Sequence, residues 1–243
     1  MHDLGDFSLR DVAECTARVR RLGLGAGSME EAAGRIVSYL YEDLADQRGG
    51  QRACALVRFY KTHPYGLLDA GRRRFAEARF TGEAAAPGAR CLALLATAGD
   101  EAAQPRGSAS RGHEAFPFEA AGEAARVPGM IREVTRLGID LGDPTPVPAL
   151  APESESPGRA PDGVVHLLEA VSSPAIALHD AFLIEHKIRS VLGFGGLLPC
   201  GDLFVVVLFT RIAIDAAARD LFKTLALAVK VGVMSFERGP IFC

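Results

Sequence analysis

Hydrophobic positions recur along this chain with two periods, one near the helical repeat and one near the strand repeat, and each change of period marks an element. Leu9, Val12, Thr16, Val19 and Leu22 fall at helical spacing behind a Ser8–Asp11 capping-box pattern, which predicts a first helix stopped by Gly23. A second such pattern, Ser28 to Glu31, opens a stronger stripe of Met29, Ala33, Ile36, Val37, Leu40 and Leu44, closed by Gly49-Gly50. Together they place N-terminal helices within residues 8–47. The GLGAG run at 23–27 lies after a helix and lacks the Lys-Ser/Thr of a phosphate loop, so it reads as a turn between helices.

The period then shortens. Ala53 to Tyr60 alternates, with Ala53, Ala55, Val57 and Phe59 on one face and Cys54, Leu56, Arg58 and Tyr60 on the other. One face is expected in the core and the other against something polar. Lys61 to Gly66 reads as a loop, Asp69 to Phe80 as a weak helix, Cys91 to Ala98 as an apolar strand, 101–112 as a loop and His113 to Phe118 as an extended piece. Pro128 suits a helix start. Residues 143–162 hold six prolines in twenty and are expected to be an exposed, mobile insertion, since they bury too little apolar surface to offset their ordering entropy. Val164 to Leu168 and Ala181 to Ile184 read as short strands.

Lys187 to Val233 carries the clearest pattern. Val191 to Leu198 is apolar, Pro199-Cys200-Gly201-Asp202 is turn chemistry, and Leu203 to Phe209 is an unbroken apolar run suited to a strand buried on both faces. Asp215 then caps a helix whose Leu221, Phe222, Leu225, Val229 and Gly232 share one side. The sum is an α+β fold: an antiparallel sheet of five or six strands with terminal helices packed on one face.

The same stretch, with Arg189-Ser190-Val191-Leu192 ahead of the turn, resembles the C-terminal half of a GAF domain, the small-molecule sensory module of bacterial signalling proteins. The segments ALVRFYKTHPYGLLD, CLALLATAGDEA and SRGHEAFPF resemble a GAF-like region found in front of histidine kinases and phosphatases. The resemblance implies one GAF-like domain over residues 1–243 that acts as a cytoplasmic sensory, ligand-binding unit in bacterial signal transduction. No catalytic output domain is expected, since the chain ends ten residues after Val233, and a signal is expected to pass by a homodimer or by contact with a separate signalling protein. The alternatives are a GAF-fold thiol enzyme of the free methionine sulfoxide reductase kind, or a partner-binding module without a small ligand.

Charge and composition narrow the partners. With 27 basic and 30 acidic residues the net charge is −3, which offers no footprint for nucleic acid. No stretch has the ~20 clean apolar residues of a membrane helix, and the N-terminus is not a secretory signal. Arg72-Arg73-Arg74 reads as a solvated helix face. The five cysteines, Cys15, Cys54, Cys91, Cys200 and Cys243, form no CxxC pair and are expected as reduced thiols, with Cys54 (on the face of Arg58) and Cys91 the candidates were the chain an enzyme. His179-Asp180 and Glu185-His186 lack metal-ligand spacing, and His166 suits a core position. The sequence assigns no catalytic residue, no metal and no cofactor. Its candidate ligand-binding residues are Lys61, His63, Tyr65, Arg111 and His113, with Arg58: basic and aromatic groups beside strand ends, fit for an anionic small molecule whose two loops should converge over one sheet face.

Overall fold

Six antiparallel strands and four helices account for most of the ordered packing among residues 1–78, 89–100, 115–118, 164–169 and 184–243, which are those that the structure, a computed structural model, describes. In chain order the elements are β1 (His2–Asp3), α1 (Leu9–Leu22), α2 (Met29–Asp43), β2 (Leu44–Asp46), β3 (Gln51–Arg52), β4 (Cys54–Pro64), α3 (Ala70–Glu77), β5 (Arg90–Gly99), β6 (Ala115–Phe118), β7 (Val164–Glu169), β8 (Ser190–Leu197), β9 (Leu203–Thr210) and α4 (Ala216–Val233). The main sheet runs β6-β5-β4-β9-β8-β7, with β4 and β9 at its centre. A small second sheet, β1-β2-β3, joins the N-terminus to the end of α2. The α+β expectation, with six strands and the terminal helices on one face, agrees with this arrangement.

Capping works as the sequence suggests. Ser8 accepts from the Asp11 amide while Asp11 accepts from the Ser8 amide at 3.0 Å, a reciprocal box that starts α1. Ser28 accepts from the Glu31 amide at 3.0 Å, and Asp215 accepts from that of Ala218 at 2.7 Å. The stripe of α2 is buried from Met29 to Leu44, but that of α1 begins at Val12, since Leu9 is 75% exposed. Gly49-Gly50 does not end α2. The helix stops at Asp43, and the glycines form the tip of a hairpin between β2 and β3, with Gly50 at φ 63°.

The GLGAG turn faces its carbonyls, not its amides, to a charge: Arg35 donates to the carbonyl oxygens of Leu22, Leu24 and Gly25 at 3.3, 2.9 and 3.3 Å. A phosphate loop requires the opposite polarity. Where α1 meets α4, a Cβ on Gly23 would lie 1.9 Å from the Gly232 carbonyl oxygen, so only glycine allows this crossing.

One face of the sheet presents Val57, Phe59, Ala96, Ala98, Leu192, Phe194, Phe204, Val206 and Leu208 to α1, α2 and α4 in a single core. Phe7 and Phe194 pack on Phe222 of α4 at ring-centroid distances of 5.4 and 5.3 Å, and Phe59 stacks on Phe204 at 6.0 Å. The other face carries Leu56, Arg58, Tyr60, Leu92, Leu94, Thr97, Val205, Val207 and Phe209, also buried. The strand Leu203–Thr210 is thus covered on both faces, as its unbroken apolar run predicts.

Several expectations change. The polar side of Ala53–Tyr60 is buried, and Lys61 to Pro64 is not a loop: β4 runs on through it and pairs with β5 to Pro64. Ile184, the last residue of the expected Ala181–Ile184 strand, is helical, and 181–183 lie outside the described residues. Arg72 is not on a solvated face. It is 3% exposed, paired to Glu30 at 2.7 Å and Asp69 at 2.5 Å, with its guanidinium 4.0 Å from the Phe242 ring centroid. The expected helix after Pro128, the insertion at 143–162, Arg111, His113 and His179-Asp180 lie outside the described residues. Among the described residues, no helix is long and apolar enough to cross a membrane.

Candidate functional site

Strand alternation separates the candidate residues. Val57, Phe59, Lys61 and His63 share the helix-side face, whereas Arg58, Tyr60 and Thr62 share the other. Arg58 therefore does not join Lys61 and His63 in one pocket.

On the helix side Lys61 is bound into the β8–β9 turn. Its ammonium donates to the Thr62 carbonyl at 2.9 Å and pairs with Asp202, which also pairs with Arg90. Burial pulls the Lys61 pKa down to about 8, yet the Asp202 carboxylate favours its charged form at neutral pH. His63 meets the Phe242 ring edge-on at 5.0 Å. Burial, followed by the Lys61 charge, pushes the His63 pKa from 6.5 down to about 4. The tail residues that bring Phe242 there are held by α2, whose Met29 and Glu30 amides donate to the carbonyls of Pro240 and Ile241 at 3.0 and 2.8 Å. Tyr65 sits at the margin and donates to Glu77 at 2.6 Å.

The His63 shift fixes a pH dependence. A histidine held neutral when folded binds fewer protons than the unfolded chain below pH 6.5, so stability present above that pH is lost as pH falls toward 4. The loss is on the order of 3 kcal/mol for a shift of this size. Thermal midpoints measured from pH 7 to pH 4 are expected to fall less steeply for His63→Phe than for the native chain.

The other face has the more unusual arrangement. Arg58 is 0% exposed, and its guanidinium donates to the Tyr60 hydroxyl at 3.0 Å. Thr97 pairs directly across from Arg58 in β5, and its hydroxyl is buried with no hydrogen-bond partner among the described residues. In the opposite direction Arg58 pairs with Val207, Val207 with Gly193, and Gly193 with His166, so one register row crosses five strands from Thr97 to His166. A charged group and an unsatisfied hydroxyl thus sit side by side in a face that is otherwise mostly apolar. The sequence reading found Arg58 but missed Thr97, because register across two distant strands decides their meeting.

The cysteines divide by burial. Cys15, Cys54 and Cys91 are buried, and burial raises their pKa values to about 11, about 12 and about 11. A register shift between Cys54 and Leu56 takes Cys54 into the helix-side core, so it does not share a face with Arg58 as alternation implied. Cys200 and Cys243 are exposed. An aromatic disulfide reagent should therefore titrate two thiols quickly in the native protein and the remaining three only in denaturant. Rapid reaction of a third would mark a thiol that the fold leaves open.

No protein-family model and no curated protein matches the chain. Among solved structures, it is similar to the phycoerythrobilin-bound GAF domain from a cyanobacterial phytochrome, at 11% identity and TM-score 0.43, over 93% of this chain and 94% of that one. It is similar to the phycocyanobilin-bound GAF domain from a cyanobacterial phytochrome at 12% identity and TM-score 0.42, over 93% of each chain. A bacteriophytochrome from the photosynthetic bacterium R. palustris gives 8% identity and TM-score 0.42, over 96% of this chain and 39% of that one.

Proposed function

We propose that this chain is a GAF-like sensory domain of bacterial signal transduction that holds a small anionic molecule over the sheet face opposite its helices. The observation that carries this reading is the pairing of Arg58 with the buried, unpartnered hydroxyl of Thr97. Buried polar side chains are ordinarily satisfied, and one left open beside a fixed cation suits a ligand oxygen. Apolar neighbours such as Leu94, Val205 and Val207 supply contact area, while Arg58, Tyr60 and Thr97 supply direction, the usual composition of a small-molecule site. In this reading Arg58 faces a carboxylate or similar oxyanion, and Arg111 and His113 are further residues proposed to bind it. Lys61, His63 and Tyr65 support the fold beneath. The domain works in the cytoplasm and passes its state on through a homodimer or a separate signalling protein. Native mass spectrometry of freshly purified protein tests the reading. A bound anion released on denaturation is the expected result, and a chain that stays ligand-free after incubation with cell-extract metabolites refutes it.

A further inference from the structure

At the end of the sheet where β4 begins and β5 and β9 end, Gln51, Arg52, Asp100, Glu185, His186, Lys187 and Arg211 line an open cleft of about 440 Å³. Its volume is that of an ordinary ligand site. None of its basic residues belongs to the site proposed above.

The cleft is built on a chain of fixed polar contacts. Arg211 donates to the Cys54 carbonyl at 3.0 Å and pairs with Asp100. Asp100 accepts from the Tyr41 hydroxyl at 2.5 Å, and the Arg52 guanidinium lies 4.8 Å from the Tyr41 ring centroid. Arg52 is thus aimed by a ring that is itself tied to the core. Lys187 stands in a loop fixed by the donation of the Arg189 amide to the Thr210 carbonyl at 2.7 Å. Among the described residues it is the one residue other than glycine with positive φ, at 55°. A left-handed lysine is a strained choice where glycine would serve, and strain of this kind collects at binding sites.

Charge decides the ligand class. Arg211 and Asp100 neutralise one another, which leaves Arg52 and Lys187 against Glu185. We propose that this cleft is a second binding site, which takes a phosphate-bearing small molecule between Arg52 and Lys187. The guanidinium offers a fork and the ammonium a point charge, and a phosphate dianion has oxygens enough for both. The open, hydrated setting suits a charged group of this kind and makes binding weaken with salt.

Calorimetry on the full chain with inorganic pyrophosphate at low ionic strength tests this, with succinate as the carboxylate comparison. Pyrophosphate is expected to bind, more tightly than succinate. Arg52→Ala and Lys187→Ala should each weaken it about tenfold, the size of one charge-assisted contact. Lys187→Gly keeps the test independent of folding, because relief of the left-handed strain should hold or raise the thermal midpoint while binding falls as in Lys187→Ala. Absence of pyrophosphate binding at millimolar concentration overturns the proposal, as does binding undiminished in the variants or equal binding of succinate. These outcomes are separate from those at Arg58 and Thr97, which this cleft does not contain.

Discussion

Val206→Asp is expected to leave the chain insoluble or unable to unfold cooperatively. Val206 is fully buried in β9, paired with Phe59 on one side and Phe194 on the other, in the core that α4 closes with Phe222. Among the described residues its neighbours on that face are Phe59, Phe194, Phe204 and Leu208, and Lys61, one alternate pair further along the face, is already bound to Asp202. A carboxylate at this position is either buried as an unpaired charge or protonated and left short of hydrogen bonds. The cost is roughly 4 kcal/mol or more, a large part of the ~5–15 kcal/mol that keeps a domain folded. Soluble yield and a urea transition by circular dichroism measure it. A soluble variant with an unchanged midpoint would show that this face is not the core. Val206→Ile, which keeps the apolar surface, should cost far less.

The terminal elements were legible in the sequence because their signals are local. Ser8, Ser28 and Asp215 announce helix starts through contacts three residues away, and the run from Leu203 to Phe209 announces a doubly covered strand without reference to its partners. Lys61 to Pro64 reads as a loop for the same reason, although it continues β4. Pro64 and the polar Lys61, Thr62 and His63 suggest a break locally, yet β5 pairs with this stretch, Asp202 pairs with Lys61, and the Thr62 hydroxyl accepts from the Leu203 amide at 2.9 Å. Arg72 reads as solvated in the sequence because its partners, Glu30 and Phe242, lie far away in the chain. Arg58 separates from Lys61 and His63 because a side chain's face depends on parity. Arg58 and Lys61 are three residues apart in one strand and so point to opposite faces.

The second large effect is expected at the polar pair on the other face. Thr97→Val removes the unpartnered hydroxyl and keeps the shape and the β-branched backbone preference. In the empty protein this relieves a buried, unsatisfied oxygen, so stability should rise by about 1 kcal/mol and the thermal midpoint by a few degrees. With the ligand, the same change leaves one of its oxygens without a donor, and affinity should fall about tenfold. Arg58→Gln shortens the side chain and removes its charge; it should abolish retention of an anionic ligand through purification. Its effect on folding is separable, because Thr97→Val supplies a variant that folds better and binds worse. Native mass spectrometry and thermal midpoints, read on the same two variants, distinguish the outcomes. If Thr97→Val gains stability and retains the ligand in full, the hydroxyl is only a flaw in the core, and the ligand is held elsewhere. If both variants lose the ligand while Thr97→Val melts higher, the face beside Arg58 is where the ligand sits.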